Sequence, residues 1–281
     1  MTPTLSIVTV CRNAADQIGA TIQSVLTQRW TDYEYIFIDG ASRDGTVARI
    51  RNCRQDFGDR GVSVHVTSEP DRGIYDAMNK GIDRASGQWV LMLNAGDCLA
   101  DPMVLEDLFG DRAYDGDVLY GDAFLWDRHR GKDLFRPFGA RPLEKMAMGL
   151  PFCHQSVFAR RELLERYRFV TDFSIAGDYD LFLRAYMDGA AFQHVPRVVA
   201  LFDCGGICLR RPHVTVAQCA AVRKYRSFPQ QRRVGILTGC LRGAARGAVR
   251  RFLPGLFYAP ARGWREELPR DGSGRVVLDH A

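Results

Sequence analysis

The strongest constraint on the fold is a rhythm that runs from Leu5 to Leu93. Four short β-rich runs, Leu5–Val10, Tyr35–Ile38, Val62–Thr67 and Trp89–Leu93, alternate with stretches whose apolar residues recur at helical spacing. The first helical stretch runs from Ala15 to about Arg29, with Ile18, Ile22, Val25 and Leu26 on one face. The next two span Thr46 to about Gln55 and Gly73 to Ala85. Trp89–Leu93 is apolar throughout, as a strand covered on both faces is. This order demands right-handed crossovers and predicts an α/β fold with a mostly parallel, doubly wound sheet. After residue 100 the rhythm loosens. Strands are expected at Asp117–Phe124 and His154–Ala159, a short helix at Pro142–Met148 and an amphipathic helix at Asp178–Met187. The later part is expected to build a second wall around a cleft.

The chain has 281 residues, enough for one large domain or two small ones at roughly 150 residues per domain. No basic stretch followed by an apolar run opens it, so no secretory signal is expected. Its longest apolar runs fall far short of the ~20 residues of a membrane helix. The eight cysteines are then read as thiols in a reducing compartment. Cys204, Cys208 and His213 lack a fourth metal ligand at a standard spacing, which argues against a zinc site.

Charge divides the chain in two. Residues 1–208 carry 23 Lys and Arg against 29 Asp and Glu, whereas residues 209–281 carry 15 against 4. Between Cys204 and Arg265 there is no carboxylate. Such asymmetry fits either a solvated basic face or a surface that meets something anionic. From Arg211 the pattern turns helical and basic, with Gly235, Gly239, Gly243 and Gly247 in one stripe and Arg242, Arg246 and Arg250 in another. Glycine costs a helix about 1 kcal/mol relative to alanine, so the stripe implies close packing or helicity that waits for a surface. The favoured expectation is an interfacial helix with Leu237, Leu241, Val249, Phe252, Leu253, Leu256, Phe257 and Trp264 toward lipid. The division predicts a domain over 1–208 and a basic amphipathic helical region over 209–281.

In open parallel sheets, ligands bind beyond the carboxyl ends of the strands. Just there the sequence places Cys11-Arg-Asn13, Asp39-Gly-Ala-Ser-Arg-Asp44, Glu69-Pro-Asp-Arg-Gly73 and Asn94-Ala-Gly-Asp97. A carboxylate in such a loop can hold a ribose or a hard cation, or can merely shape a turn or cap a helix. Several at one sheet edge favour a binding site. There is no G-x-G-x-x-G after the first strand and no G-x-x-x-x-G-K-[ST], which argues against dinucleotide oxidoreduction and P-loop hydrolysis. The absence of HExxH and GxSxG argues against a zincin or an α/β-hydrolase.

The stretches Leu5-Ser-Ile-Val-Thr-Val-Cys-Arg-Asn13, Ile38-Asp-Gly-Ala-Ser-Arg-Asp-Gly-Thr46 and Ser68-Glu-Pro-Asp-Arg-Gly-Ile-Tyr-Asp-Ala-Met-Asn-Lys-Gly81 resemble the family 2 glycosyltransferases of GT-A fold. The resemblance continues through Gly87–Asp97, His154-Gln155 and Ala176–Arg184, and covers roughly residues 4–208. It implies an inverting, single-displacement transfer of sugar from a nucleoside-diphosphate sugar to an acceptor hydroxyl. Asp39 and Asp71 would then contact base and ribose, with Thr9, Asn13 and Asn94 lining the nucleotide site and Asn79 holding the loop beside it. Asp97 would ligate Mg²⁺ or Mn²⁺ at the diphosphate, and Asp178 would be the general base. His154, Gln155 and Arg184 would touch acceptor or diphosphate, although His154 is equally readable as a core histidine. Two departures from the family pattern stand out. Asn94-Ala-Gly-Asp97 replaces the frequent Asp-x-Asp, leaving one carboxylate, and Gly177 precedes Asp178 where an acidic residue is usual.

The expectation is a cytoplasmic transferase of cell-surface polysaccharide or glycolipid biosynthesis. Residues 211–265 would hold it at the anionic inner face of the membrane, beside a glycan or lipid-linked acceptor. One alternative is a nucleic-acid-binding protein that uses the basic tail. It is disfavoured because few aromatics interleave with the arginines and no nucleic-acid motif appears, so no nucleic acid is expected. The other alternative is nucleotidyl or sugar-phosphate transfer on the same fold.

Overall fold

The computed structural model describes residues 2–128, 132–206, 210–226 and 264–278. Its strands are β1 (Leu5–Cys11), β2 (Tyr33–Asp39), β3 (Val64–Ser68), β4 (Trp89–Met92), β5 (Cys98–Leu99), β6 (Val118–Asp127), β7 (Leu134–Phe138), β8 (Val157–Arg160) and β9 (Phe192–Asp203). The helices are α1 (Ala15–Leu26), α2 (Thr46–Asn52), α3 (Arg54–Gly58), α4 (Ile74–Arg84), α5 (Val104–Phe109), α6 (Arg161–Tyr167), α7 (Gly177–Met187) and α8 (Pro212–Tyr225). Short 3-10 turns lie at Leu143–Met148 and His154–Ser156.

One sheet runs β3-β2-β1-β4-β8-β6-β9-β5, and β7 pairs with β6. The first half is parallel throughout, as the alternating sequence requires. The second half is mixed, with β8 antiparallel to both β4 and β6, and β9 parallel to β6. The strand side chains alternate between two cores. Leu5, Ile7, Tyr35, Phe37, Trp89 and Leu91 pack with Ile18, Ile22 and Ile50 of α1 and α2 on one face. Val8, Val10, Ile36, Ile38, Val90 and Met92 pack with Tyr75, Met78 and Ile82 of α4 and Leu181 of α7 on the other. This is the mostly parallel, doubly wound α/β sheet expected from the chain's rhythm.

The sequence pattern does not signal β9, the longest strand, because Pro196 lies inside it. Pairing with β6 breaks there, passing from Tyr120↔His194 to Asp122↔Val198. A proline, with no N–H to donate, fits a strand only at such an irregularity. Gly121 faces the same break, where a Cβ would collide with the Arg197 carbonyl and the Val199 side chain.

The region after Arg211 is helical only in part. α8 packs on α7 and buries Val222 completely. Residues 227–263, which hold the glycine stripe, its arginines and the apolar positions Leu237 to Phe257, lie outside the described residues, as does Cys208. Residues 264–278 correct the expectation of helix to the end of the chain. Arg265 bridges to Phe135 of β7 through both backbone hydrogen bonds, at 2.8 and 2.9 Å. Trp264, expected to face lipid, lies under the Arg136 guanidinium. Val276 is buried in the first core, and its N–H donates to Asp101 at 2.8 Å.

A charge network fastens this return. Arg197 of β9 donates to both oxygens of the fully buried Asp101 side chain, at 2.6 and 2.8 Å, and to Asp107 at 3.0 Å. Arg275 donates two further bonds of 2.7 Å to Asp107. Removing one partner from a buried pair leaves an uncompensated charge, which costs about 3–5 kcal/mol. Arg197→Leu is therefore expected to lose roughly 3 kcal/mol of stability, measured by urea unfolding. A midpoint equal to the parent's would show that the network is dispensable.

Candidate active site

Three expected residues meet beyond the ends of β1 and β2. Parallel register sets Cys11 beside Asp39 and Asp39 beside Ser68. Asp39 is fully buried, and its carboxylate accepts the Ser42 N–H at 2.9 Å, the Ser68 hydroxyl at 2.6 Å and the Ser42 hydroxyl. Burial, reinforced by the Asp39 charge, pushes the Cys11 thiol far up and keeps it neutral. Asn13 adopts φ of 48°, donates its N–H to Ser42 Oγ and accepts the Arg43 N–H at 3.0 Å. Asp71 accepts the Gly73 N–H at 2.9 Å, and its other oxygen lies over Gly40, where any Cβ would collide with it. Asn13, Asp39 and Asp71 thus converge on the Gly40–Ser42 turn.

Thr9, Asn79 and Arg184 are placed elsewhere. Thr9 is completely buried, its hydroxyl donating to the Leu93 carbonyl at 2.7 Å and meeting the Tyr35 hydroxyl at 3.0 Å. It ties β1 to its neighbours and is not among the residues that line the cavity described next. Asn79 clasps the Phe169 backbone, donating at 2.8 Å and accepting at 3.0 Å. It holds the loop that leads to α7. Arg184 spends its guanidinium on Asp180 and on the carbonyls of Tyr167 and Arg168, outside the cavity described next.

Asn94, Asp97, His154, Gln155 and Asp178 all line one cavity of about 500 Å³. It opens beyond the carboxyl end of β4, where ligands of open α/β sheets bind. A larger hollow of about 850 Å³ lies at the other end of the sheet, around Thr4, Gln88 and Arg160, and contains none of the residues singled out above. We take the smaller cavity as the site because the strand-end chemistry is there.

Asp178 is the second residue of α7, and three elements fix it. The Tyr75 hydroxyl of α4 donates to the Ile175 carbonyl and lies 3.2 Å from Asp178 Oδ1. His154 Nδ1 lies 3.6 Å from Asp178 Oδ2. Gln218 of α8 accepts the Ile175 and Ala176 N–H groups at 2.8 and 3.2 Å. Burial lowers the His154 pKa against the pull of Asp178, which favours a neutral imidazole. Gly177 is explained by the same packing: a Cβ there would strike the Tyr75 ring. The acidic residue usual at that position has no room.

The sequence does not single out Tyr75, Gln218, Asp203 or Arg128, each of which reaches the site from a distant segment. Asp203, at the end of β9, supplies a second carboxylate beside Asp97. Its N–H donates to Asp97 Oδ1 at 2.8 Å, and its Oδ2 overhangs Gly96, a residue with φ of 105°. Arg128 donates to the Gly96 carbonyl at 3.1 Å. Burial, increased by the charge of Asp203, pushes the Asp97 carboxyl up to about 8. The buried Asn94 Oδ1 has no hydrogen-bond partner.

These are oxygen donors suited to a hard divalent cation. Among the described residues no three His, Cys, Asp or Glu side chains cluster into a closed cage. Two carboxylates fit a cation that completes its shell with water and substrate phosphate, the usual arrangement for Mg²⁺.

The sheet order and the site together define a GT-A nucleotide-sugar-binding fold, and comparison with known proteins agrees. The family model for glycosyl transferase family 2 matches residues 6–168. A PGL/p-HBAD biosynthesis glycosyltransferase of Mycobacterium tuberculosis is 31% identical over 218 residues, covering 73% of this chain and 79% of the relative. The fold is similar to a mannosyltransferase from Pyrobaculum calidifontis solved with GDP-Man and Mn²⁺, at TM-score 0.61 and 18% identity, covering 90% of this chain and 76% of that one. It is also similar to S. aureus TarS residues 1–349 with UDP-GlcNAc, at TM-score 0.57 and 15% identity, covering 71% of this chain and 58% of that one. This chain belongs to glycosyl transferase family 2 and is a glycosyltransferase.

The raised Asp97 pKa has a stability consequence. An unfolded Asp titrates near 3.9, so between about pH 4 and pH 8 the native state binds the extra proton and loses stability as pH rises. A cation that took the ionised carboxylate as a ligand would compete with the proton below about pH 8, and would stabilise the native state more as pH rises. In thermal unfolding, Mn²⁺ is expected to raise the midpoint more at pH 8 than at pH 5, and Asp97→Asn to abolish the difference. A Mn²⁺ effect that is the same in parent and variant would remove Asp97 from the ligand set.

Proposed function

We propose that this glycosyltransferase inverts the anomeric centre and uses a divalent cation to move a sugar from a nucleoside diphosphate to a glycan or lipid-linked hydroxyl. The observation that carries this reading is that Asp97 and Asp178, far apart in sequence, line one cavity at the carboxyl edge of the sheet. Asp178 takes the acceptor hydroxyl proton as that oxygen forms a bond to the anomeric carbon. The bond from that carbon to the diphosphate oxygen breaks, and the nucleoside diphosphate leaves with the electron pair. A bound Mg²⁺ or Mn²⁺ supplies Lewis-acid stabilisation of that leaving group. Asp97 and Asp203 would hold it, while Asp39, Asp71 and Asn13 receive the nucleoside. The nucleotide sugars in the two solved structures, UDP-GlcNAc and GDP-Man, support the donor class, and the PGL/p-HBAD biosynthesis in the name of the mycobacterial relative supports a biosynthetic transfer.

Calorimetric titration with UDP, GDP and dTDP, each with and without Mn²⁺, tests the donor side. One diphosphate is expected to bind in a Mn²⁺-dependent manner. Asp178→Asn should keep that affinity within about twofold while turnover falls about 10³-fold, the loss expected of a missing general base. Release of pyrophosphate instead of nucleoside diphosphate would favour nucleotidyl transfer, and failure of all three to bind would end the transferase-site reading.

The basic segment within 211–265 is proposed to rest on an anionic membrane surface, which would bring the site to an anchored acceptor. No helix among the described residues is long and apolar enough to cross a membrane. Because α8 braces the Asp178 loop, truncation at Arg211 would confound the test. Exchanging Arg242, Arg246, Arg250 and Arg251 for Gln leaves α8 whole. That variant is expected to lose co-sedimentation with phosphatidylserine vesicles, and undiminished sedimentation would refute the membrane role.

A further inference from the structure

The cavity that contains Asp178 exposes mostly apolar surface. Its floor is a row of side chains across three adjacent strands. Arg136 of β7 pairs with Leu125 of β6, which pairs with Phe202 of β9. Residues paired in this way project from the same face of a sheet. Phe138, two residues along β7, extends the row on that face. The facing walls are Ile74 and Met78 of α4, Leu150 and Phe152 of the loop before His154, and Cys219 of α8. Asn94, Asp97, Gln155 and Asp203 line the part where the donor diphosphate is proposed to sit, and Gln17, Arg136, Ser174, Tyr179 and Thr215 are further polar side chains of the lining. Asp178 and His154 line the same cavity as both groups.

A free sugar carries hydroxyls around its whole edge. Pressing them against Leu125, Leu150 and Phe202 would desolvate them without partners, at roughly 1–3 kcal/mol each. An alkyl or aryl group would be stabilised by the same burial. We infer that this arm of the cavity is an aglycone subsite: the acceptor presents its hydroxyl to Asp178 from an apolar aryl or alkyl group seated on the Leu125–Phe202 floor. This inference rests on the transferase reading above and narrows its acceptor class. The volume of about 500 Å³ lies within the range of small-molecule pockets, which combine apolar walls with a few converging polar groups.

The test uses the full chain saturated with whichever nucleoside diphosphate it binds, together with Mn²⁺. Two probes are compared by calorimetry and saturation-transfer NMR: 4-propylphenol, and methyl β-glucopyranoside as the polar counterpart. 4-Propylphenol is expected to bind at least tenfold more tightly. Leu150→Gln, on a loop, and Phe202→Gln, on the floor, should each weaken it about tenfold. Their nucleotide affinity, expected within twofold of the parent, reports that each variant has folded. Tighter binding of the glucoside would overturn the subsite, as would 4-propylphenol binding that both folded variants leave unchanged. Loss of nucleotide binding by the parent would instead defeat the transferase-site reading, so the two failures are distinct.

Discussion

Parallel pairing among β1, β2, β3 and β4 is the interaction on which everything at the site depends. Side-chain packing selects one register for these strands, because a one-residue slip would send every side chain to the opposite core. That register sets the ends of β1, β2, β3 and β4 at one edge. Those ends and the loops that follow carry Asn13, Asp39 and Asp71, which converge on the Gly40–Ser42 turn, and Asp97, which lines the cavity. Right-handed crossovers then distribute the helices over both faces and leave that edge open.

The second half of the chain completes the site by a different principle. Asp178 needs a fixed direction, and a helix start alone does not provide one. Tyr75 from α4, His154 from the 3-10 turn and Gln218 from α8 supply it together, with Asn79 holding Phe169, whose ring stacks on Tyr75 at 5.5 Å. Each contact joins elements that are distant in sequence. The basic C-terminal region is therefore coupled to the chemistry through α8, whatever surface its remaining residues meet. Arg226, at the end of α8, and Arg184 both reach the fully buried Asp180, which strengthens the same joint.

The strands and helices up to Leu93 were legible because period-two and helical patterns report burial directly. The segments Leu134–Phe138 and Phe192–Asp203 were not, since each contains a proline, Pro137 and Pro196. Thr9 shows the limit for single residues: the family resemblance suggested a pocket, whereas its hydroxyl bonds within the interior. Trp264 shows the same limit, because an aromatic residue among arginines matches a membrane face as well as it matches the Arg136 stacking found here.

The sequence by itself determined the α/β class and the edge of the sheet that bears the carboxylates, and its family resemblance singled out Asp97 and Asp178, which the structure brings into one cavity. Those conclusions rest on local periodicity and on motif order, which survive without knowing how distant segments pack. Only the tertiary structure decided that Asp203 stands beside Asp97, and that Gly177 is glycine because the Tyr75 ring occupies the space. It also decided that residues 264–278 return to the sheet through Asp101, Asp107 and Arg197. Each of these depends on long-range juxtaposition, where burial and charge complementarity select partners that no spacing along the chain encodes.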